Sequence, residues 1–151
     1  MNQKWIAFLR IAIGIFFLAQ GLNKLEWYSS SEFLRTSLDR YSQNPSPAAG
    51  WYQKHVAYPG IEAWSRMIPT GEMLLGVVLV LGLLTRTALA GAIALVLNYH
   101  LTNGSVFTSA FFFNPYDLVL LSCLLFLLVS KAGSVFAIDG KARKKTSKSK
   151  S

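Results

Sequence analysis

The sequence predicts an all-α polytopic membrane protein, a four-helix bundle with short interfacial helices in its first outer loop. Three observations predict it. Of 151 residues, 52% are hydrophobic, and the mean hydropathy is +0.37. Four apolar stretches rise above that mean, at about 5–25, 61–84, 87–103 and 114–130. The polar residues inside them recur at helical spacing. A helix needs about 20 residues, with a range of about 17 to 25, to cross the hydrocarbon. The first two stretches meet that alone; flanking Asn, Thr, Phe and Tyr residues carry the last two to the interface. One small soluble domain has no room to hide four such helices.

The first stretch follows a short basic start, Asn2-Gln3-Lys4, as a signal peptide would. Arg10 interrupts its apolar run and no small-x-small cleavage site follows, so it reads as a retained span. The loop at 26–60 is more than a linker. Ser29 with Glu32 reads as a capping box, and Leu34, Leu38 and Tyr41 recur at helical spacing. This predicts a short amphipathic helix on the outer membrane surface, with a lid or docking surface as the functional alternative. Asn44-Pro-Ser-Pro47 ends it, and a second short helix is expected at about 48–56. Trp27, Tyr28, Trp51, Tyr52, Tyr58 and Trp64 would form an outer aromatic belt. Thr85-Arg86-Thr87 reads as the tight turn between the second and third spans. Cys123, the lone cysteine, can form no internal disulfide and reads as a small packing residue of the fourth span.

Charge sets the expected orientation. Residues 131–151 hold seven basic side chains against Asp139, which is +6 of the chain's net +8. Such a cluster beside a span marks the cytoplasmic side and contacts anionic lipid; nucleic acid is the weaker reading. An even number of spans then puts both termini in the cytoplasm and the long first loop outside. Residues 1–140 form the membrane domain, and 141–151 a basic, disordered tail.

One carboxylate, Glu72, falls inside the second span. A charge there costs at least about 2.5 kcal/mol and needs a partner. Placed by depth at about 1.5 Å per residue, Gln20, Lys24, Glu72, Asn98, His100, Asn114 and Asp117 fall in one slab of the outer half. The faces agree. Arg10, Gly14, Phe17, Gly21 and Lys24 share one stripe, and Glu72, Gly76, Leu79, Leu83 and Arg86 repeat its spacing. Run antiparallel, the stripes bring Lys24 to Glu72, and small residues let the backbones approach. Glu72 is then offset by Lys24, by hydrogen bonds from Gln20, Asn98 or His100, or by all of them. Arg10 and Arg86 read as inner-side anchors.

These polar groups read equally as structural contacts between helices or as a site. His100 favours a site, being the one intramembrane group that titrates near neutral pH. Beside a carboxylate and amides it can bind a quinone carbonyl or relay its proton. The candidate catalytic residues are therefore Glu72, His100 and Lys24, with Lys24 attracting an anionic substrate or a charged quinone. The candidate binding residues are Gln20, Asn98, Asn114 and Asp117. Only two histidines exist, His55 and His100, on different segments, which argues against a bis-His haem. No metal cluster, nucleotide-binding loop or nucleophile elbow is legible.

The stripes resemble the DoxX/DoxD-like family of four-span membrane proteins. The resemblance lies in Arg10-Ile-Ala-Ile-Gly14-Ile-Phe-Phe17 with Gly21 and Lys24. It continues in Gly71-Glu72, Gly76, Leu-Gly82-Leu-Leu-Thr85-Arg86 and the Ala-rich span that follows. The family ends its fourth span with Gly and a Ser-x-Asp element; Gly133-Ser-Val-Phe-Ala-Ile-Asp139 is a variant of it. The resemblance implies a membrane subunit of a quinone-linked oxidoreductase in a bacterial inner membrane. DoxD is the small subunit of a thiosulfate:quinone oxidoreductase, so sulfur or thiol redox is the implied chemistry, with a protein partner docked on the outer loop. It equally implies the alternative of a non-catalytic scaffold or assembly factor. A transporter is third, since no second repeat or broken helix pair is present.

Overall fold

Asn2 starts the first helix, α1 (Gln3–Leu22), by accepting the Lys4 N–H on its side-chain oxygen at 3.1 Å. The helix ends at Asn23, whose N–H returns to the Ala19 carbonyl at 3.0 Å. A single 3-10 turn, Leu25–Tyr28, leads into α2 (Glu32–Tyr41). Ser46 caps α3 (Pro47–Tyr52), which continues as one wider π turn, Gln53–Ala57. Then come α4 (Ile61–Leu81), α5 (Thr85–Asn103) and α6 (Pro115–Val129). This computed structural model describes residues 2–43, 45–105, 115–130, 132–133 and 136–138, with the backbone alone at 115–117. Among the described residues the protein is all-α, as the sequence predicts. Asn114, Asp139 and the 141–151 tail lie outside them.

The closest packing joins α1 to α4. A Cβ built on Gly76 would sit 2.7 Å from the Gly14 carbonyl oxygen, and one on Gly21 would sit 2.9 Å from that of Pro69. The helices run antiparallel and staggered. Lys24 lies level with Glu72, and Arg10 with Gly82. Residues 61–68 of α4 therefore project past one end of α1, and residues 3–9 of α1 project past the other end of α4. One apolar core then gathers Ile13 and Phe17 of α1, Leu79 of α4, Leu89 and Ala92 of α5, and Leu124 and Leu127 of α6. Cys123 packs against it half-buried, as expected. Among the described residues, two helices, α1 and α4, are long and apolar enough to cross a membrane.

The turn between α4 and α5 falls earlier than Thr85-Arg86-Thr87. Gly82 and Leu84 both take left-handed backbone conformations, at φ +65° and +46°, and α5 begins at Thr85. Gly82 is needed twice over. Its φ suits glycine, and a Cβ there would lie 2.5 Å from Ala137 and 2.7 Å from the Arg10 guanidinium.

The first loop folds as a lid on the projecting end of α4. Leu34 and Leu38 of α2 bury with Ala57 and Ile61 in a second small core, packed by Trp27, Tyr52, Tyr58 and Trp64. The predicted amphipathic helix exists, but its apolar face meets protein. Four residues of the expected aromatic belt are likewise used inside the lid, while Trp51 stays exposed. Ser29 does not form the expected capping box. It donates to the Glu26 carbonyl, Ser30 accepts the Glu32 N–H, and Ser31 reaches Glu62 on α4.

Two tyrosines tie the lid to α5. Tyr41 hydrogen-bonds Tyr99 at 3.1 Å, with the rings edge to face. Burial, and then the Tyr99 hydrogen bond, pushes the Tyr41 phenol up to about 12. A phenol raised in the folded state adds stability below its unfolded value of about 10. That contribution is lost as pH rises through about 12. The unfolding midpoint of the wild type should therefore fall more steeply between those two values than that of Tyr41→Phe. Parallel curves would place the contact outside the folding equilibrium.

Candidate functional site

Lys24 and Glu72 form the site. Lys24 follows the C-terminus of α1, where a cation meets the negative end of the helix. Its Nζ lies 3.5 Å from the Gln20 carbonyl oxygen of the last turn. Glu72 sits on the buried face of α4, in line with Ile61, Ser65, Pro69, Gly76 and Leu79. The ammonium donates to both carboxylate oxygens at 2.6 Å. The Glu72 side chain is 8% exposed and that of Lys24 is 21% exposed, so one partner is enclosed and the other reachable. The Trp27 ring stands 5.8 Å from Nζ, within cation–π range. Tyr28 and Thr70 share a hydrogen bond at 2.6 Å, joining the same two segments near the site's rim.

The other sequence-derived candidates divide. Gln20 takes part through its backbone carbonyl. Asn98 accepts a hydrogen bond from Tyr52 of the lid. Gln53 donates to the neighbouring Thr102 carbonyl at 2.7 Å, on that same face of α5. His100 is buried, with Nδ1 2.8 Å from the Ser105 hydroxyl. Asn98 and His100 are two residues apart on one helix, which turns them about 200° from each other. Depth alone put them in one slab; direction separates them. Asn98 therefore belongs to the lid seam and not to the partners of Glu72. Asn114 and the side chain of Asp117 lie outside the described residues.

Arg10 is a correction. As an anchor it would reach the membrane surface, yet it is 0% exposed. Its guanidinium donates to the Ala132 carbonyl at 2.7 Å and the Phe136 carbonyl at 2.6 Å, clasping the segment that follows α6. The signal was present in the sequence, since Arg10 opens the same stripe that delivers Lys24 to Glu72. Arg86, on the exposed side of α5, remains compatible with an anchor. Arg10→Lys should cost about 1–3 kcal/mol, because one ammonium cannot span both carbonyls and a buried carbonyl is left unpaired. Unchanged thermal unfolding would show that the clasp contributes nothing.

Among the described residues these features define a class, an all-helical membrane protein with two long apolar helices joined by a part-buried lysine–glutamate pair. The chain belongs to the DoxX family, whose model matches residues 5–103. Lys24, Glu72, Arg10, Asn98 and His100 all fall inside the match; α6 falls outside it. No curated protein and no solved structure matches the chain.

Proposed function

We propose that this protein is the membrane subunit of a quinone-linked oxidoreductase, with its site at the Lys24–Glu72 pair. The observation that carries the reading is the state of Lys24. Its ammonium has three protons, and Glu72 takes two directions at 2.6 Å. The third faces only the distant Gln20 carbonyl, on a side chain still partly open. That leaves a charged donor for a quinone carbonyl beside the Trp27 ring, so these residues fit a quinone headgroup. A bound quinone supplies two-electron carrier chemistry. Lys24 binds and orients the carbonyl, Glu72 fixes the ammonium and holds a proton at its carboxylate, and the lid limits water. His100 serves as a proton relay at the end of α5. The electron donor is a sulfur or thiol compound handled by a partner on the lid.

The same reading makes α5 and α6 the third and fourth spans, places both termini in the cytoplasm of a bacterium, and sets the lid outside. A reporter fused after Ser151 should then be cytoplasmic, and a cysteine replacing Ser46 should label from outside. Reversed labelling would reject the orientation.

A scaffold or assembly role is the second reading, favoured by the glycine-close seam of α1 and α4 and by the engagement of both Glu72 carboxylate oxygens with Lys24. Organic extraction of the protein, purified with its partners, separates the two. Wild type should yield bound quinone, and a folded Lys24→Met/Glu72→Gln double variant should yield none. Equal quinone in both would leave the pair structural.

A further inference from the structure

Proline interrupts α4 where the helix changes partners. Before Pro69, Ile61 lies in the lid core, and Trp64 packs against that core while its indole donates to the Val56 carbonyl at 3.1 Å. After Pro69, Glu72 meets Lys24, Gly76 meets α1, and Leu79 joins the main core. Pro69 has no N–H to give the Ser65 carbonyl, so the helix lacks one rung there. Hydroxyls flank the gap. Ser65 donates to the Glu62 carbonyl at 2.9 Å, and Thr70 to the Arg66 carbonyl at 2.6 Å. Back-bonding of this kind weakens and bends helices, and proline is a recognised cause of kinks.

The lid is held differently on its two sides. Its core of Leu34, Leu38, Ala57 and Ile61 closes on α4 and, among the described residues, includes nothing from α5. Hydrogen bonds join it to α5, from Tyr41 to Tyr99, from Tyr52 to Asn98 and from Gln53 to the Thr102 carbonyl. Such bonds exchange for water at small net cost, whereas an apolar core loses its burial outright. The lid and residues 61–68 thus form one body. Polar contacts fasten it to α5, and Pro69 joins it to the rest of α4. Trp27 links that body to the site, since it packs against the lid core and its ring stands 5.8 Å from the Lys24 ammonium. Tyr28 bonds Thr70, beyond the hinge, so the turn that follows Lys24 stays with the lower part of α4.

We infer that α4 hinges at Pro69, so that the lid and residues 61–68 swing off α5 and uncover Trp27, opening the way to Lys24. Hinges of this kind are a few residues that absorb the backbone change while the bodies on either side stay rigid. With the lid closed, the Lys24 side chain is 21% exposed. Opening withdraws the lid core from Trp27 and widens that access. A partner with higher affinity for the open lid then speeds ligand exchange at the site. As regulation of the Lys24–Glu72 site the inference rests on the quinone reading; the hinge itself does not.

The test puts a reporter thiol, Ala49→Cys, into the full chain with Cys123→Ser, in detergent. Ala49 is 1% exposed and faces the end of α5, where a Cβ on Gly104 would lie 3.3 Å from it. A charged methanethiosulfonate reaches this thiol when the lid leaves α5, so the labelling rate follows the open population. Tyr52→Phe removes one seam bond and should speed labelling about fivefold, the effect of one ordinary hydrogen bond. Pro69→Ala restores the missing N–H, and added to Tyr52→Phe it should return labelling to the starting rate. Ala92→Cys, in the main core, should stay unlabelled throughout. Three results would overturn the hinge: no acceleration by Tyr52→Phe, a raised rate that survives Pro69→Ala, or labelling of Ala92→Cys in step with Ala49→Cys, which is whole-bundle opening. Release of bound quinone should quicken in Tyr52→Phe, and an unchanged release rate would separate the hinge from access to Lys24. Labelling as expected with no quinone bound would leave the hinge standing and defeat the quinone reading.

Discussion

Glu72→Gln should lower stability by about 3 kcal/mol, the lower end of the range for breaking a buried ion pair. The lower end applies because Lys24 keeps some contact with solvent. The variant leaves an ammonium facing an amide that offers one acceptor in place of two charged ones. Lys24→Met combined with Glu72→Gln should recover part of the loss, since both charges leave together. Thermal unfolding in detergent measures the cycle. A double variant no more stable than Glu72→Gln would mean that the ammonium is not what Glu72 chiefly balances. Redox turnover divides the outcomes further. A stable double variant without turnover places the chemistry at the pair, and one as active as wild type removes it from there.

The second large effect is at the helix crossing. Gly76→Ala should cost about 3 kcal/mol, the upper part of the overpacking range. Its new Cβ would lie 2.7 Å from both the Gly14 carbonyl oxygen and the Leu18 nitrogen. Those are backbone atoms, so relief requires the helices to part. Parting them would also stretch the Lys24–Glu72 contact, and quinone retention should fall with stability. Gly71→Ala is the matched control. Its Cβ meets only Leu95 Cδ1, at an ordinary 3.6 Å. It should stabilise by about 0.5–1 kcal/mol through helix propensity. Equal shifts for the two variants would show that the crossing is looser than its geometry.

The central pair was legible because both helices carry their polar and small residues at the same spacing. An antiparallel match of two such stripes has few registers, and Lys24 against Glu72 satisfies charge as well as shape. The all-helical fold followed from the same periodicity. The direction of Asn98 was not legible because depth is a single coordinate, and a helix turns about 100° with each residue. The lid was half legible. Leu34 and Leu38 announce an apolar face, but the sequence does not say whether lipid or Ile61 covers it. Arg10 was misread because an arginine near a helix end usually reaches for solvent. Its two acceptors, the Ala132 and Phe136 carbonyls, are backbone atoms distant in sequence, and no residue type betrays them.

The offset of the two long helices also bears on bilayer thickness. On the membrane placement proposed above, the exposed Glu62–Arg66 ion pair lies at the surface, where α4 would leave hydrocarbon at the lid end. From 67 to 81 it then covers about 22 Å, whereas α1 covers about 30 Å, a full hydrocarbon core. The Gly82 turn therefore stops on the order of 8 Å short of the depth that Lys4 reaches. Exposed Leu83 and Leu84 border this shortfall. Lipid on that flank must thin, or the helix pair must tilt, to match both lengths. On that placement α1 and α4 form a pair with one longer and one shorter apolar length. Such a pair would gather short-chain lipid around its shorter flank and insert most easily where the membrane is thin.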